Sequence, residues 1–188
     1  DRYRHIVLFM GRLVKQKDLP TLLKAASLVV QQIRDTLFLL VGDGEEKAAL
    51  LALGQRLDLR DNLVISKGVG PEEAPRYFAA CDVFAMSSIY EGKARALVEA
   101  ACAAKPIVTT AVSGADEVVI DGETGFIVPI KDSAALADRI LTLLRDLGLA
   151  AEMGRRGQQL ACERFDRKDN LAMMVRMWVA TAACRTSS

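Results

Sequence analysis

The first group of residues that could do chemistry is a basic turn near the start of the chain. A short apolar run at residues 6–10 ends in Gly11 and is followed by three cations, Arg12, Lys15 and Lys17. Glycine allows the backbone a tight turn, and clustered cations suit an anion. We interpret the turn as an anion-binding loop, although the segment considered alone fits an ordinary solvated loop better.

The second group lies at the start of an alanine-rich helix predicted over residues 94–104. Lys93 and Arg95 lie in or beside its first turn, where the positive end of the helix dipole opposes cations by roughly 0.3 to 1 kcal/mol each. A phosphate would reverse that effect, because the free N–H groups and the cations would bind it together. Neutralisation of the two cations by Glu91 is the alternative.

Glu91 and Glu99 are the two acidic residues of this second group. Eight residues along a helix correspond to about 12 Å and 80°, whereas glycoside hydrolases hold their two carboxyl groups about 5 to 9.5 Å apart. We therefore expect two separate contacts to sugar hydroxyl groups and no hydrolase pair. A simple surface position for Glu99 is the alternative.

The elements that position these residues alternate between strands and helices. Strands are predicted at residues 6–10, 36–41, 63–66, 83–86, 106–110 and 125–129, and helices at about 19–33, 45–57, 71–80, 94–104, 136–147 and 171–179. This alternation predicts an α/β fold, a doubly wound, Rossmann-like parallel sheet with right-handed crossovers. Ligands of such sheets bind beyond the carboxyl ends of the strands. Both groups follow strands, so we expect them to converge on one pocket that holds two linked phosphoryl groups.

Composition excludes several classes of protein. The 188 residues are 51% hydrophobic and 26% charged, with a formal net charge of +1. This is typical of a globular domain, and the charge is too small to hold a nucleic acid. The four cysteines form no CxxC pair and the single histidine, His5, precedes the first predicted strand, so neither a zinc site nor a Ser-His-Asp arrangement is expected.

Other patterns narrow the class further. Gly68 and Gly70 are not followed by the glycine of a dinucleotide fingerprint, and no Walker sequence occurs. The methionines around residues 173–177 indicate a packing face. No apolar run approaches the roughly 20 residues of a membrane span, and no secretory leader opens the chain, so a cytoplasmic location is expected. The start at Asp1, close to a buried strand, suggests a piece of a longer protein.

Motifs along nearly the whole chain carry a resemblance to a known family. They are Gly11-Arg12 with Lys17, Val41-Gly42-Asp43-Gly44, Ala80-Cys81-Asp82-Val83-Phe84, Glu91-Gly92 with Glu99, Lys105-Pro106-Ile107-Val108, Ser113-Gly114 to Glu117-Val118, Asp121-Gly122 with Thr124-Gly125, and Glu163-Arg164-Phe165. In this order and spacing the chain resembles the C-terminal, nucleotide-sugar-binding domain of the retaining GT-B glycosyltransferases called group 1 or family four.

The resemblance implies a role for each candidate residue. Arg12 and Lys17, with Gly11 between them and the strand, would hold the diphosphate of a nucleotide-sugar donor without a metal or a separate cofactor. Glu91 would contact the transferred sugar and Glu99 the ribose hydroxyl groups. The backbone N–H groups of Gly92, Lys93, Ala94 and Arg95 would line the pyrophosphate, and the base would lie near Val69. Glu91, Arg12 and Lys17 are the expected catalytic residues.

The chain departs from the family pattern in three ways. The family usually has Glu-Gly-Phe-Gly, whereas here Glu91-Gly92 is followed by Lys93-Ala94-Arg95, so the helix start is more cationic. The loop Lys67-Gly68-Val69 has its glycine one place away from the family position. The third departure is the N-terminal domain, which would carry the site for an acceptor sugar or lipid-linked acceptor and which we expect this chain to lack. We expect residues 1–165 to form the nucleotide-sugar-binding domain and residues 166–188 its C-terminal helix and tail.

The resemblance thus predicts the donor-binding half of a retaining glycosyltransferase, inactive without its N-terminal half. Two alternatives stay open: a nucleotide-sugar epimerase of GT-B architecture, and a non-catalytic nucleotide-binding regulatory module. No nucleic-acid partner is expected, and membrane association is expected only of the longer parent.

Overall fold

The computed structural model describes residues 3–92 and 95–165. The strands are β1 (His5–Met10), β2 (Thr36–Val41), β3 (Leu63–Ser66), β4 (Val83–Met86), β5 (Ile107–Thr110) and β6 (Gly125–Val128). The helices are α1 (Leu19–Gln32), α2 (Lys47–Arg56), α3 (Ala74–Ala80), α4 (Arg95–Cys102), α5 (Ala115–Val118), α6 (Ser133–Arg145) and α7 (Leu147–Phe165), with a 3-10 turn at Lys15–Lys17.

The six strands form one parallel sheet in the order β3-β2-β1-β4-β5-β6. The helices cover both faces: α1 contacts α2 and α6, whereas α4 contacts α5 and α7. The central strands are therefore mostly apolar, and every residue of β4 and β5 is buried. The predicted doubly wound α/β fold is confirmed.

Most element boundaries agree with the predicted ones to within a few residues, and the differences have local causes. Helix α3 begins at Ala74, three residues later than predicted, and Pro75 lies in its first turn, where proline is tolerated. His5 is the first residue of β1, so it lies at the opposite end of that strand from the basic turn. Leu147 does not continue the stripe of α6: it begins α7 and is exposed.

Helix α7 packs against the end of α4 through glycine. A Cβ at Gly154 would lie 2.1 Å from the carbonyl oxygen of Ala104, just beyond α4, whereas one at Gly157 would make only ordinary contact, at 3.5 Å, with the carbonyl oxygen of Thr124. The two helices can approach closely only because position 154 has no side chain. The methionine-rich helix and the tail predicted over residues 166–188 lie outside the described residues.

Candidate functional site

The candidate site lies where the strand order changes direction. The chain moves outward from β1 to β2 and β3, then crosses back to place β4 on the other side of β1. The carboxyl ends of β1 and β4 are therefore neighbours with diverging connections, which is the place where open parallel sheets bind ligands. A cleft of about 780 Å³ opens there.

The cleft brings both predicted groups together. From the basic turn it is lined by Gly11, Arg12, Gln16 and Lys17, and from the segment after β4 by Tyr90, Glu91 and Gly92. Arg95 and Glu99 of α4 and Val69 and Pro71 of the β3–α3 connection complete most of the wall. Lys93 and Ala94, which were also predicted to line the site, lie outside the described residues.

Hydrogen bonds join the basic turn to the segment after β4. The backbone N–H of Ile89 donates to the carbonyl oxygen of Gln16 at 2.9 Å, and the Gln16 side-chain amide donates to the carbonyl oxygen of Tyr90 at 2.8 Å. The buried hydroxyl of Ser87 donates to the carbonyl oxygens of Lys17 and Asp18, at 2.9 and 3.0 Å. The two walls of the cleft are therefore held in a fixed relation.

The turn after β2 supports the basic turn from behind. A Cβ at Gly42 would lie 1.8 Å from the carbonyl oxygen of Gly11, and one at Gly44 2.2 Å from that of Leu13. Between them, the carbonyl oxygen of Asp43 accepts from the Leu13 N–H at 2.9 Å. From the sequence these glycines are predicted only as turn residues and as part of the resemblance. In the structure, their lack of a side chain allows the turn after β2 to pack directly against the backbone of the basic turn.

Glu91 forms its ion pair with Lys17 across the cleft. Glu91 Oε1 lies 2.6 Å from Lys17 Nζ and accepts from Ser88 Oγ at 2.5 Å. The Glu91 side chain is 5% exposed and that of Lys17 15%. Among the described residues Glu91 therefore pairs with Lys17 and not with Arg95, so the alternative in which Glu91 neutralises the cations at the helix start gains no support there.

The helical estimate of the distance between Glu91 and Glu99 does not apply, because Glu91 is not in a helix. It lies in the loop that follows β4, while α4 is described from Arg95. Only Glu99 has the helical position that the estimate assumed. Glu91 is therefore oriented by the loop and by Lys17, and its separation from Glu99 is not fixed by helical rise.

Arg12 and Arg95 are the cations of the cleft that remain available. Both are exposed in the cleft wall, and neither forms an ion pair with any residue in the described ranges 3–92 and 95–165. Lys17 differs, because one of its three N–H groups is directed at Glu91. Because the charge of Arg95 acts on Glu99, Arg12 with its planar set of five donors is, among the described cations of the cleft, the freest group for an incoming anion.

Glu99 is half-buried in the wall formed by α4. Burial raises the pKa of Glu99 above the ordinary glutamate value, and the charge of Arg95, one turn earlier, opposes that shift. A carboxylate in such a place gains from hydrogen-bond donors such as paired hydroxyl groups.

Several motifs that carried the resemblance hold the fold together away from the cleft. Asp82 Oδ2 accepts from the backbone N–H of Ile6 at 2.8 Å and so ties the start of β4 to β1. Lys105 Nζ donates to the carbonyl oxygens of Ala79 and Cys81, at 3.2 and 2.7 Å, at the end of α3. These residues stabilise the domain without facing a ligand.

Three further features of the described residues concern metal binding, thiol reactivity and membrane insertion. Within residues 3–92 and 95–165, no cluster of three or more His, Cys, Asp or Glu side chains is placed to hold a metal ion. Burial raises the pKa of the thiols of Cys81 and Cys102 to about 12, which makes both unreactive at neutral pH. No helix in the described part of the chain has the length and apolar character needed to cross a membrane.

Comparison with known proteins defines the class to which this fold and cleft belong. Residues 2–160 match the family described as glycosyl transferases group 1. The chain belongs to this family, which confirms the resemblance inferred from the sequence.

The curated relatives are longer than this chain. It is 31% identical over 169 residues to the GDP-mannose-dependent alpha-(1-6)-phosphatidylinositol monomannoside mannosyltransferase of Mycolicibacterium smegmatis, covering 86% of this chain and 44% of the relative. The chain thus spans less than half the length of this curated relative, and between 37% and 46% of the others compared.

Two solved structures show the extent of the structural similarity. The crystal structure of Anabaena Alr3699/HepE in complex with UDP-glucose is 28% identical, with a TM-score of 0.79 over 95% of this chain and 48% of that one. The C-terminal domain of the group 1 family protein LpcC from Francisella tularensis, 21% identical, shares the fold with a TM-score of 0.81, and the match covers 88% of each chain.

Proposed function

We propose that this chain is the donor-binding half of a retaining glycosyltransferase, which transfers a sugar from a nucleotide diphosphate to an acceptor. The observation that carries the proposal is the convergence of Arg12, Lys17 and Arg95 on one cleft at the switch point of the sheet. The acceptor, a sugar or a lipid-linked molecule, would bind to another part of the parent protein, and the isolated chain would bind the sugar donor without transferring it.

The cations of the cleft suit a diphosphate leaving group. Arg12 offers a planar fork of N–H groups to phosphate oxygens, and Lys17 keeps N–H groups free beyond the one directed at Glu91. When the glycosidic bond breaks, negative charge grows on the diphosphate, and these fixed cations would stabilise it. In this proposal they supply the electrostatic stabilisation that a metal ion supplies in other enzymes.

The carboxylates of the cleft suit the hydroxyl groups of a nucleotide sugar. Ionised carboxylates only accept hydrogen bonds, so Glu91 and Glu99 select ligands that donate them. Glu91, beside the cations, would orient the transferred sugar, and Glu99 on α4 would accept from the ribose. The base would lie against Val69, which lines the cleft from the β3–α3 connection.

The named relatives support a nucleotide-sugar donor. The Anabaena protein was crystallised with UDP-glucose, and the mycobacterial relative is named for its dependence on GDP-mannose. Because these two bases differ, both donors belong in the first test of this chain.

Calorimetric titration of the isolated chain with UDP, GDP and ADP tests the proposal. We expect saturable binding of at least one of them, and a loss of about tenfold to a hundredfold on Arg12→Ala, since a hydrogen bond to a charged group contributes roughly 1.5 to 3 kcal/mol. The control is Arg34→Ala, an exposed arginine that precedes β2 at the opposite end of the sheet. No binding of any of the three at millimolar concentration, or equal losses in both variants, would refute the proposal.

Product analysis then separates transfer from epimerisation. In the full-length parent, transfer leaves the sugar on an acceptor and releases the nucleoside diphosphate, whereas an epimerase changes a stereocentre of the sugar ring. A parent that binds the nucleotide and does neither would be the regulatory module.

A further inference from the structure

We propose that Ser88 is a positioning residue, which fixes the carboxylate of Glu91 for its contact with the sugar part of a nucleotide sugar. The inference rests on the proposed function and adds to it a residue that makes no contact with the ligand itself. In this proposal, the contribution of the sugar to the binding energy depends on a buried hydroxyl group behind the cleft, which acts through Glu91.

The Ser88 hydroxyl is directed at one particular oxygen. It donates to Glu91 Oε1 at 2.5 Å, and Lys17 Nζ approaches the same oxygen at 2.6 Å. No residue of the described ranges 3–92 and 95–165 forms a hydrogen bond with Glu91 Oε2. The two protein donors therefore immobilise one oxygen, and the other keeps its full capacity to accept a hydrogen bond from a ligand hydroxyl group.

The backbone that carries Ser88 is itself held in place. Thr110 Oγ1, at the end of β5, donates to the carbonyl oxygen of Ser88 at 2.6 Å, and both residues are fully buried. The position of the Ser88 hydroxyl is thus set by the neighbouring strand. Replacement of Ser88 by alanine removes the hydroxyl bond to Glu91 and leaves the bond from Thr110 intact.

Ser87 provides a matched control one residue away. It is equally buried, but its hydroxyl donates to the backbone carbonyl oxygens of Lys17 and Asp18 and not to a carboxylate. Ser87 therefore supports the basic turn, which we assign to the diphosphate. Loss of Ser87 should weaken the binding of nucleotide and nucleotide sugar alike, whereas loss of Ser88 should affect only the contribution of the sugar.

The experiment measures dissociation constants for UDP and UDP-glucose, and for GDP and GDP-mannose, with the wild-type chain, Ser88→Ala and Ser87→Ala. For the pair that the wild type binds, the ratio of the two constants reports the contribution of the sugar. We expect Ser88→Ala to shift this ratio against the sugar by about tenfold, the effect of one hydrogen bond to a charged group. Its affinity for the nucleoside diphosphate should stay the same, and Ser87→Ala should leave the ratio unchanged.

A double-mutant cycle distinguishes positioning from a general structural effect. If Ser88 acts through Glu91, Ser88→Ala should have no further effect on the ratio in a Glu91→Ala background, because the group that it positions is gone. Ser88→Thr, which keeps a hydroxyl, should restore part of the wild-type ratio.

Three results would overturn the proposal. An unchanged ratio in Ser88→Ala, an equal loss of affinity for nucleotide and nucleotide sugar, or the same shift in the Glu91→Ala background would each remove Ser88 from this role while leaving the proposed function intact. If the wild-type chain binds neither nucleotide nor nucleotide sugar, the proposed function fails and this inference fails with it.

Discussion

Removal of the Lys17 charge should cost the chain a large part of its stability. Glu91 is 5% exposed, and Lys17, which is 15% exposed, is its cationic partner at 2.6 Å. In Lys17→Met the carboxylate stays in the same place and, of its hydrogen bonds from residues 3–92 and 95–165, keeps the one from Ser88. The variant therefore tests whether this pair is a structural element of the cleft.

The expected magnitude follows from the burial of the pair. Breaking a buried ion pair by removing one partner costs about 3 to 5 kcal/mol, because the other charge stays buried and uncompensated. The cleft is open to solvent and Ser88 still donates to Glu91, so we expect the lower end, about 3 kcal/mol. For a chain of this length that lowers the melting temperature by about 6 to 12 °C.

Removal of the other charge should cost less, and removal of both should show coupling. In Glu91→Gln the ammonium of Lys17 can turn towards the open cleft, so we expect a loss of about 1 kcal/mol. The double variant should lie close to Glu91→Gln, because no charge is left buried without a partner. The coupling energy would then be about 3 kcal/mol.

Urea unfolding at pH 7, followed by far-ultraviolet circular dichroism, measures these differences. The control is Lys47→Met, which removes a lysine paired with Asp43 at 3.1 Å where the two side chains are 37% and 62% exposed. Exposed pairs contribute little, so its unfolding midpoint should match that of the wild type. A wild-type midpoint for Lys17→Met, or a double variant less stable than Lys17→Met, would refute the reasoning.

Three further predictions concern other parts of the domain. Because burial raises the pKa of Glu99 and the protonated carboxyl group accepts hydrogen bonds more weakly and at fewer sites than the carboxylate, affinity for a nucleotide sugar should fall as the pH drops through that pKa, and Glu99→Gln should abolish this dependence in calorimetry. The same shift means that Glu99 opposes folding as the pH rises through its pKa, so Glu99→Gln should raise the melting temperature of the free chain at pH 7. Gly154→Ala should destabilise the chain by about 1 to 3 kcal/mol, because its Cβ would meet the carbonyl oxygen of Ala104, whereas Gly157→Ala on the same helix should be neutral or stabilising by up to about 1 kcal/mol in thermal unfolding.

The sheet and the meeting of the two groups could be predicted from the sequence because both depend on strong local signals. Strands buried on both faces are continuous apolar runs, as β2 and β4 show. Once the order of strands and helices is known, the carboxyl ends of the strands define one edge of the sheet. Arg12 and Glu91 each lie in the loop that follows a strand, so their presence at that edge required no knowledge of the packing.

The Lys17–Glu91 pair could not be predicted, because its two residues are 74 positions apart in the chain. No local pattern records a contact across that separation. The helical estimate of the distance from Glu91 to Glu99 does not apply, because Glu91 lies in a loop. The sequence also did not show which cation pairs with Glu91, because Lys93 and Arg95 are much closer to Glu91 along the chain than Lys17 is.

The bounds of helix α7 could not be predicted from the sequence, and the physical reason is a different one. Its buried face consists mainly of small residues, Ala150, Gly154, Gly157 and Ala161, with Met153 beside them. These recur at helical spacing, but alanine and glycine do not produce the stripe of large apolar side chains by which an amphipathic helix is recognised. The signal that could have found the helix is the periodicity of small residues, which indicates close helix packing.

Residues that carry the family resemblance and hold the fold together differ physically from cleft residues outside those motifs, and this difference bears on what membership in the family can predict. Gly42, Asp82 and Lys105 hold backbones together, so their presence follows from the fold whatever the ligand is. Val69 and Arg95 face the cleft and make no such structural bond among the described residues, so they are free to differ between relatives that use different donors. The identity of the base and of the sugar therefore has to be sought at these cleft positions, and the strength of the family match does not bear on it.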